Sequence, residues 1–318
     1  MSEARTTFKR PKYLSQEWFD TRRTIDGGTV FGASECPALM GASAFDTLQD
    51  LVVKKINPPV DRNENGATQR GHILEPALIE HCRKEYKAEI EVPEVMFRRS
   101  RLVSTLDGLE YRDGNPYRVF EAKTTTMYDL NDPLPESYFW QGQAQLDTTG
   151  ADSVVFVCLD KRMQIGFWEL KPDLSAIEQL QQQAELIGRK IDSNEFISNS
   201  DTPFTQAQIA NLFPEPEGEI EIGDWALEAL ELWEVLKSHI GDMQKQEQEI
   251  KDKLCNALRD KEFGAVNGKR IISYKRQTRK GGMDIDRLFA EHPEIADLAK
   301  TYMKRDSEFR VLRKLSTK

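Results

Sequence analysis

The sequence predicts an α/β domain followed by a smaller C-terminal extension, and three observations support this fold class. A chain of 318 residues is long enough to bury a sizeable core. Residues 1–200 alternate between helical and strand patterns, as is typical of an α/β domain. Residues 201–223 are polar and contain three prolines, so we interpret them as a linker and residues 224–318 as the extension.

The elements of the first domain follow from capping residues and from the spacing of apolar side chains. Ser15 is a suitable N-cap for the first helix, which Gly27-Gly28 interrupts, and Pro76 lies early in the fourth helix or kinks it. Helices are predicted over 15–23, 33–40, 46–55, 71–88, 138–149 and 175–189. Strands are predicted over 94–98, 101–107, 117–123, 153–159 and 164–170.

The extension combines one long amphipathic helix with a β-hairpin. A 3-4 spacing of apolar residues, interrupted by Glu247, predicts the helix, which packs on the first domain or pairs with another helix. Asn267-Gly268 between apolar stretches predicts the hairpin. Its second strand leads into a basic patch at Lys275-Arg276 and Arg279-Lys280. The apolar residues of the helix are Trp233, Leu236, Ile240, Met243, Ile250, Leu254 and Ala257.

The composition is that of a soluble globular protein, with 39% hydrophobic and 31% charged residues. No window approaches the roughly 18 apolar residues that a membrane span needs, so we expect no membrane association. The N-terminus lacks the apolar core of a secretory signal. The four cysteines are far apart without a CxxC pair, which argues against zinc and against a disulfide framework. We therefore expect a cytoplasmic protein.

The charge is unevenly distributed along the chain, whose formal net charge is −9. Residues 261–318 carry 15 Lys+Arg and 8 Asp+Glu, a net +7, so residues 1–260 carry 29 and 45, a net −16. This asymmetry fits an acidic body with a basic contact region for nucleic acid, or simply a solvated basic tail.

Two acids and a lysine are predicted to meet across a hairpin in the first domain. The turn signal at residues 113–116 lies midway between Asp107 and Glu121, so folding about it sets these carboxylates opposite each other. Strand alternation puts Glu121 and Lys123 on one side, with Ala122 pointing away. Such a cluster predicts a metal site with an ammonium group attached.

This arrangement suits metal-assisted cleavage of a phosphodiester. Carboxylates hold Mg²⁺, a hard cation that prefers oxygen ligands. The ion lowers the pKa of a bound water and neutralises charge on the phosphate. Lys123 would orient the nucleophile or stabilise the transition state, and the Ala122 carbonyl would add an oxygen ligand. The alternative is a surface hairpin with an exposed Glu-x-Lys pair, which is a common pattern.

Two helices supply further candidates. Glu75 lies among apolar neighbours, so it is either another ligand pointing into a cleft or an ordinary solvated glutamate. Tyr138, Gln141 and Gln145 share one helix face by i+3 and i+4 spacing. That face suits a cleft wall whose amides contact water, phosphate or a lysine; the alternative is an amphipathic helix without a functional role.

Taken in order, these motifs resemble the lambda-exonuclease/YqaJ group of phage recombination nucleases, within the PD-(D/E)xK superfamily. The resemblance runs from residue 18 to about residue 150. It implies a PD-(D/E)xK nuclease core, a central mixed β-sheet flanked by helices. The motifs are Trp18-x₃-Arg22, Gly32-Ala33-Ser34-Glu35, Gly71-x₃-Glu75, Asp107-Gly108, Glu121-Ala122-Lys123 and Tyr138-x₂-Gln141-x-Gln143.

The resemblance implies roles for the acids and the lysine. Asp107 and Glu121 would be the Mg²⁺ ligands, with the Ala122 carbonyl beside them and Mn²⁺ as a substitute ion. Glu75 would be the helix-borne acid of the site and a further ligand. Lys123 would be the catalytic lysine.

It also implies roles for residues around that centre. Gln141, with Tyr138 behind it, would orient water or the lysine. Arg22, Ser34 and Thr105 match positions that line a pocket for the 5′-phosphate of a DNA end. A guanidinium forks onto phosphate oxygens and hydroxyl groups complete the cradle. Thr105 stands where the lambda enzyme has a serine.

The function that the resemblance implies is a Mg²⁺-dependent 5′→3′ exonuclease acting on double-stranded DNA ends. It would release mononucleotides and leave a 3′ single strand for a single-strand annealing protein. The group also implies a homotrimeric ring around DNA, in the bacterial host cell of a phage or prophage. The alternatives are a related endonuclease, an iron–sulfur exonuclease whose clustered cysteines are not recognisable here, and a non-catalytic DNA-end-binding module.

Overall fold

The chain divides into two units, residues 1–214 and 215–318. The structure, a computed structural model, describes residues 4–57, 66–195, 203–279, 281–302 and 310–314. Lys280 of the predicted basic patch lies outside the described residues. The predicted linker over 201–223 contains a short helix that belongs to the first unit, Gln206–Leu212.

Strands of the first unit form two four-stranded sheets and one short ribbon. The ten strands are β1 (Thr6–Lys9), β2 (Thr24–Ile25), β3 (Gly28–Thr29), β4 (Phe31–Gly32), β5 (Val95–Arg99), β6 (Leu102–Ser104), β7 (Gly108–Arg112), β8 (Asn115–Thr124), β9 (Ser153–Leu159) and β10 (Ile165–Leu170). The first sheet has the order β1-β5-β6-β4, the second has the order β10-β9-β8-β7, and β2 pairs with β3. In the second sheet β8 and β9 run parallel while the outer pairs are antiparallel, so the sheet is mixed.

Seven helices of the described part of the first unit connect these strands. They are α1 (Gln16–Arg23), α2 (Cys36–Leu39), α3 (Leu48–Ile56), α4 (Gly66–Tyr86), α5 (Glu136–Thr149), α6 (Leu174–Asp192) and α7 (Gln206–Leu212). Ser15 caps α1 as predicted, because its hydroxyl accepts a hydrogen bond from the Trp18 N–H.

One predicted helix is divided in the structure. The segment predicted as a helix over 33–40 begins as a 3₁₀ turn, Ala33–Glu35, and becomes α2 only at Cys36. Pro37 has no N–H to donate to the Ala33 carbonyl, so the Cys36 N–H takes that acceptor in a tighter turn. The prediction of one continuous helix over 33–40 was therefore wrong, because Pro37 interrupts the hydrogen-bond pattern of an α-helix at its start.

Helices cover both faces of the mixed sheet, which confirms the predicted fold class. Val155 and Val157 pack in one cluster with side chains of α4, whereas Val154 and Phe156 pack in another with side chains of α5. Helix α5 lies so close to the sheet that a Cβ on Gly142 would come within 2.8 Å of Leu170. Both faces of the sheet are thus closed to solvent over their centre.

The β7–β8 hairpin has the predicted register, for a reason that the spacing alone did not supply. Its turn is a tight pair, Asp113 (φ 52°) and Gly114 (φ 77°), which by itself would centre the hairpin between these two residues. A bulge between Glu110 and Tyr111 then shifts the register by one residue, so that Gly108 pairs with Phe120. Extending this register by one residue sets Asp107 opposite Glu121.

The strand predicted over 101–107 ends at Ser104. Strand β6 belongs to the first sheet and β7 to the second, so the segment 105–107 crosses between the sheets instead of continuing a strand. This crossing places Thr105 and Asp107 at the junction of the two sheets.

The second unit contains the predicted long helix and hairpin. Helix α8 spans Trp225–Leu258, and strands β11 (Phe263–Val266) and β12 (Lys269–Ser273) pair across Asn267 and Gly268. Both turn residues have positive φ, 50° and 75°, as this type of hairpin turn requires. Two short helices follow, α9 (Ile285–Glu291) and α10 (Pro293–Lys300).

The cysteines and the apolar character of the helices are the last features of the fold. All four cysteines carry free thiols. Within the residues that the structure describes, no helix is both long and apolar enough to cross a lipid bilayer.

Candidate active site

A cleft of about 1130 Å³ in the first unit collects eight of the ten predicted site residues. These are Arg22, Ser34, Glu75, Thr105, Asp107, Lys123, Tyr138 and Gln141. A smaller cavity of about 80 Å³ is lined by Arg22, Ser34, Thr105, Asp107, Glu121 and Gln141. The predicted acids, amide, arginine and hydroxyls therefore do lie together, although they come from six separate parts of the chain.

Glu121 is the most firmly held side chain of the site. One carboxylate oxygen, Oε1, accepts hydrogen bonds from Gln141 Nε2 at 2.7 Å and from Lys123 Nζ at 2.8 Å. The other oxygen, Oε2, accepts from Gln145 Nε2 at 2.6 Å. Only 6% of the residue is exposed, so the surface Glu-x-Lys pair considered as an alternative is wrong.

Lys123 has a charged environment that keeps it protonated. Its Nζ also donates to Gln141 Oε1 at 3.0 Å and lies 5.5 Å from the centre of the Tyr138 ring. Burial lowers the pKa of Lys123, but the neighbouring Glu121 carboxylate outweighs this effect, so the pKa is raised. Gln141 therefore links the acid and the ammonium, while the Tyr138 ring flanks the latter.

Asp107 approaches the same point from the segment between the two sheets. Its Oδ2 accepts a hydrogen bond of 2.9 Å from the Ala122 N–H. Burial raises the pKa of Asp107 well above its usual range, and the nearby carboxylates of Glu121 and Glu75 raise it further. The charged form of Asp107 is thus unfavourable in this cleft without a positive partner.

Glu75 reaches the cleft from α4. Burial and the Glu121 carboxylate raise the pKa of Glu75, while His72 and Arg10 oppose the shift. His72 Nδ1 lies 3.6 Å from a Glu75 oxygen, and its Nε2 is hydrogen-bonded to the Tyr13 hydroxyl at 2.6 Å. Glu75 therefore lines the cleft, with 29% of its side chain exposed.

The chemistry of this acidic group fits a hard divalent cation. Carboxylate oxygens are the ligands that such ions prefer, and a cation would relieve the repulsion that raises the pKa of Asp107 and of Glu75. As placed, however, no three His, Cys, Asp or Glu side chains of the described residues form a group that could hold an ion. The donors fit by type and by location, while their present positions are those of hydrogen-bonded side chains.

The predicted phosphate pocket is built around Arg22. Its guanidinium donates to Ser34 Oγ at 2.8 Å and lies 4.5 Å from the centre of the Trp18 ring. A Cβ on Gly32 would come within 2.7 Å of Arg22 Nη2, so the absence of a side chain at residue 32 gives the arginine its place. Thr105 lines the same small cavity.

A buried ion pair behind this pocket was not predicted. Lys55 Nζ donates to Glu35 Oε2 at 2.6 Å and to the Arg22 carbonyl at 2.7 Å, and Glu35 Oε2 accepts from the Gly32 N–H at 2.6 Å. Burial raises the pKa of Glu35, but Lys55 and Arg22 outweigh it and hold the pKa below its usual value. The Gly-Ala-Ser-Glu motif pointed to Glu35, whereas nothing in the sequence singled out Lys55.

Gln145 is the second contributor that the sequence analysis did not assign. It is fully buried, and its Oε1 has no hydrogen-bond partner among the described residues. Its spacing of four residues from Gln141 was the available signal, since both amides project from one face of α5 toward Glu121.

The mixed sheet with covered faces, the acid before β7, and the Glu-x-Lys on β8 together define a protein of the PD-(D/E)xK class. Comparison of the sequence with known families is more specific. Residues 17–152 match the YqaJ-like viral recombinase domain, in agreement with the resemblance of the ordered motifs to the YqaJ group.

The chain is also similar to one curated protein and to solved structures of two exonucleases, each at low sequence identity. The YqaJ protein of Bacillus subtilis (strain 168) is 20% identical over 287 residues, which cover 86% of this chain and 88% of that protein. The alkaline exonuclease LHK-Exo of Laribacter hongkongensis is 22% identical, with 58% of this chain and 96% of that chain covered and a TM-score of 0.45. A phage-related exonuclease of Haemophilus somnus 129PT is 11% identical, with 54% and 97% covered and a TM-score of 0.44.

Proposed function

We propose that this protein is a divalent-metal-dependent 5′→3′ exonuclease that acts on double-stranded DNA ends. The observation that carries the proposal is a shared wall: Asp107, Glu121 and Gln141 line the same small cavity as Arg22 and Ser34. An anion-binding pocket that adjoins the acidic group would hold a terminal phosphate beside the residues that cut the next bond. The match to a viral recombinase domain supports this proposal, because recombination needs resected DNA ends.

The chain's own residues have separable tasks in this reaction. Lys123, kept protonated by Glu121, would donate to a phosphate oxygen or to the attacking water as negative charge develops. Gln141 holds both groups and so fixes their direction. Arg22 and Ser34 would bind the 5′-phosphate through charge-assisted hydrogen bonds.

The metal ion would be held by Asp107, Glu121, Glu75 and the Ala122 carbonyl. When bound, it supplies a Lewis acid that activates water and neutralises charge on the phosphate. We propose Mg²⁺ as the ion, with Mn²⁺ as a substitute, because all these donors are oxygen atoms.

The direct test uses linear duplex DNA labelled at its 5′ or its 3′ ends, incubated with Mg²⁺, Mn²⁺, Ca²⁺ or EDTA. We expect early release of the 5′ label as a mononucleotide with Mg²⁺ or Mn²⁺, while the 3′ label stays on long strands. Duplexes with 5′-hydroxyl ends should be degraded more slowly than phosphorylated ones. Preferential release of the 3′ label would refute the proposed polarity.

Two alternatives have their own signatures in the same experiment. Cutting of a covalently closed circle would favour a related endonuclease. A shifted DNA band with no cleavage in any metal would favour the non-catalytic end-binding module, although such a module has no need of acids that repel phosphate.

We also propose a homotrimeric ring and transfer of the 3′ strand to a single-strand annealing protein in a bacterial host cell. A closed ring would retain DNA without many phosphate contacts, which suits an acidic chain. Light scattering on the purified protein should give three times the 36.5 kDa chain mass, and a monomer at micromolar concentration would exclude the ring.

A further inference from the structure

The hairpin of the second unit is surrounded by cations that lack acidic partners. Residues 259–279 carry seven Lys+Arg and two Asp+Glu, a net +5, whereas α8 carries four and seven, a net −3. Lys261 pairs with Asp260; among the described residues the other six cations of this segment form no ion pair. Lysines of α8 do form such pairs, as Lys245 does with Asp242 and Lys251 does with Glu247.

One aromatic ring, that of Phe263, contacts two of these cations without neutralising them. The guanidinium of Arg270 lies 4.3 Å and the ammonium of Lys275 lies 4.5 Å from the centre of the Phe263 ring. A cation over the face of an aromatic ring is attracted to it but keeps its full charge. Two positive charges, one from β12 and one from the segment that follows it, therefore lie close together at the Phe263 ring.

A hollow of about 430 Å³ beside the hairpin combines this charge with an exposed ring. Four cations and Tyr274 line it together with two acids, so the lining has a net positive charge; the residues are Arg259, Asp260, Lys261, Glu262, Tyr274, Lys275 and Arg276. Tyr274 is 57% exposed, yet its backbone is held by a hydrogen bond of 2.9 Å from its N–H to the Glu262 carbonyl. The exposed ring thus projects from an anchored backbone position beside cations.

We propose that this hairpin surface, residues 259–276, binds single-stranded DNA. Its cations would contact successive phosphates, and Tyr274 would stack on an unpaired base, since cations interleaved with exposed aromatic rings suit a single strand. A duplex would engage the cations alone because its bases are already stacked. That a single strand is available rests on the proposed function, which leaves one behind.

The test measures binding of the full-length protein to a fluorescent 20-nucleotide oligothymidylate in EDTA, over a series of salt concentrations. Lys275→Ala/Arg276→Ala should reduce the slope of log K against log salt by about 1.4, the value expected for two lost contacts to a single strand. The matched control is Lys251→Ala/Lys253→Ala, which removes two exposed cations from α8 and should leave the slope unchanged.

Tyr274 provides an independent measurement. Tyr274→Ala should weaken binding about 5- to 150-fold, the range for loss of one stacked base, with an unchanged salt slope. Tyr274→Phe keeps the ring and should bind as the parent protein does. Circular dichroism of each variant establishes that the protein is folded.

Three results would overturn the proposal. The first is an equal reduction of the salt slope in the hairpin and α8 double variants, and the second is unchanged oligothymidylate binding by Tyr274→Ala. The third is that the hairpin variants bind a closed dumbbell duplex as much more weakly as they bind oligothymidylate. The last result would assign the surface to the phosphates of duplex DNA. Cleavage of duplex ends by the same variants separates this proposal from the proposed function. If Lys123→Ala loses cleavage but binds oligothymidylate normally, single-strand binding by the hairpin surface does not depend on catalysis.

Discussion

The cleft of the first unit and the hairpin surface of the second treat charge in opposite ways. In the cleft, negative charge is buried and each carboxylate has assigned neighbours, as Glu121 has three donors within 2.8 Å. On the hairpin, positive charge is exposed, and among the described residues every cation of residues 259–279 except Lys261 lacks an acidic partner. Buried charge must be paired or neutralised, whereas exposed cations act through a summed field that salt screens.

This contrast explains how a chain of net charge −9 can work on DNA. The acids of the cleft lie together, where a cation would compensate them. The cations of the hairpin surface belong to the second unit, where phosphate would compensate them. Net charge alone therefore says little about whether such a protein binds nucleic acid.

The largest effect is expected from removing the ammonium group of the cleft. Lys123→Ala should reduce cleavage by about 10²–10³-fold or more, because a donor positioned at developing charge is lost. Lys171→Ala is the matched control, since that lysine is mostly exposed and, among the described residues, its ammonium pairs with Glu169 alone. Initial rates on end-labelled duplex measure both variants, and similar rates in the two would reject Lys123 as a catalytic group.

The next largest effect concerns the anion pocket. Arg22→Ala should slow degradation of 5′-phosphorylated ends by about 10- to 100-fold, the loss of a charge-assisted contact, and should affect 5′-hydroxyl ends less. Arg23→Ala on the same helix is the control, because Arg23 lines neither the cleft nor the small cavity. Equal losses on both kinds of end would show that Arg22 does not contact the terminal phosphate.

Two buried glutamines of α5 allow a finer comparison between chemistry and stability. Gln145 donates to Glu121, whereas Gln143 donates to the Lys171 carbonyl and accepts from the Asp173 N–H. Gln145→Leu should lower kcat about tenfold with little change in KM, since it loosens a group that acts in the reaction. Gln143→Leu should instead lower stability by about 1–3 kcal/mol and leave kcat unchanged. Steady-state kinetics and thermal melts on both variants decide between these roles; the reverse pattern would contradict the assignment.

The smallest effect is a gain in stability. The folded protein raises the pKa of Asp107, so it binds that proton more tightly than the unfolded chain does. Stability from this group is therefore present at low pH and lost as pH rises through the folded pKa. Asp107→Asn should stabilise the protein at neutral pH by about 0.5–2 kcal/mol, and this gain should shrink on acidification.

A metal titration completes that measurement. Mg²⁺ should raise the melting temperature of the parent protein more than that of Asp107→Asn, because a ligand of the folded state stabilises by mass action. A destabilised Asp107→Asn protein would contradict the claim that ionised Asp107 destabilises the fold. An equal response of the two proteins to Mg²⁺ would contradict the claim that Asp107 binds the ion.

Much of the site followed from local rules. The facing of Glu121 and Lys123 depends only on the two-residue period of a strand, and the long helix of the extension depends only on a repeated apolar spacing. The opposition of Asp107 and Glu121 was also predicted, although its cause was a tight turn combined with a bulge at Glu110 and Tyr111. The predicted register of β7 and β8 was right because the register shift at the bulge offsets the shift that the tight turn produces.

The sequence by itself determined which residues carry charge, which segments form helices and strands, and which side chains share a face, because these properties depend on neighbours within a few positions. Tertiary structure alone decided that residues 105–107 cross between two sheets, that Lys55 supports the Arg22 pocket, and that Gln145 holds Glu121. Those contacts join residues about 20 or more positions apart. They form only when each helix packs on its sheet at a particular distance and with a particular rotation about the helix axis. No local periodicity contains that information.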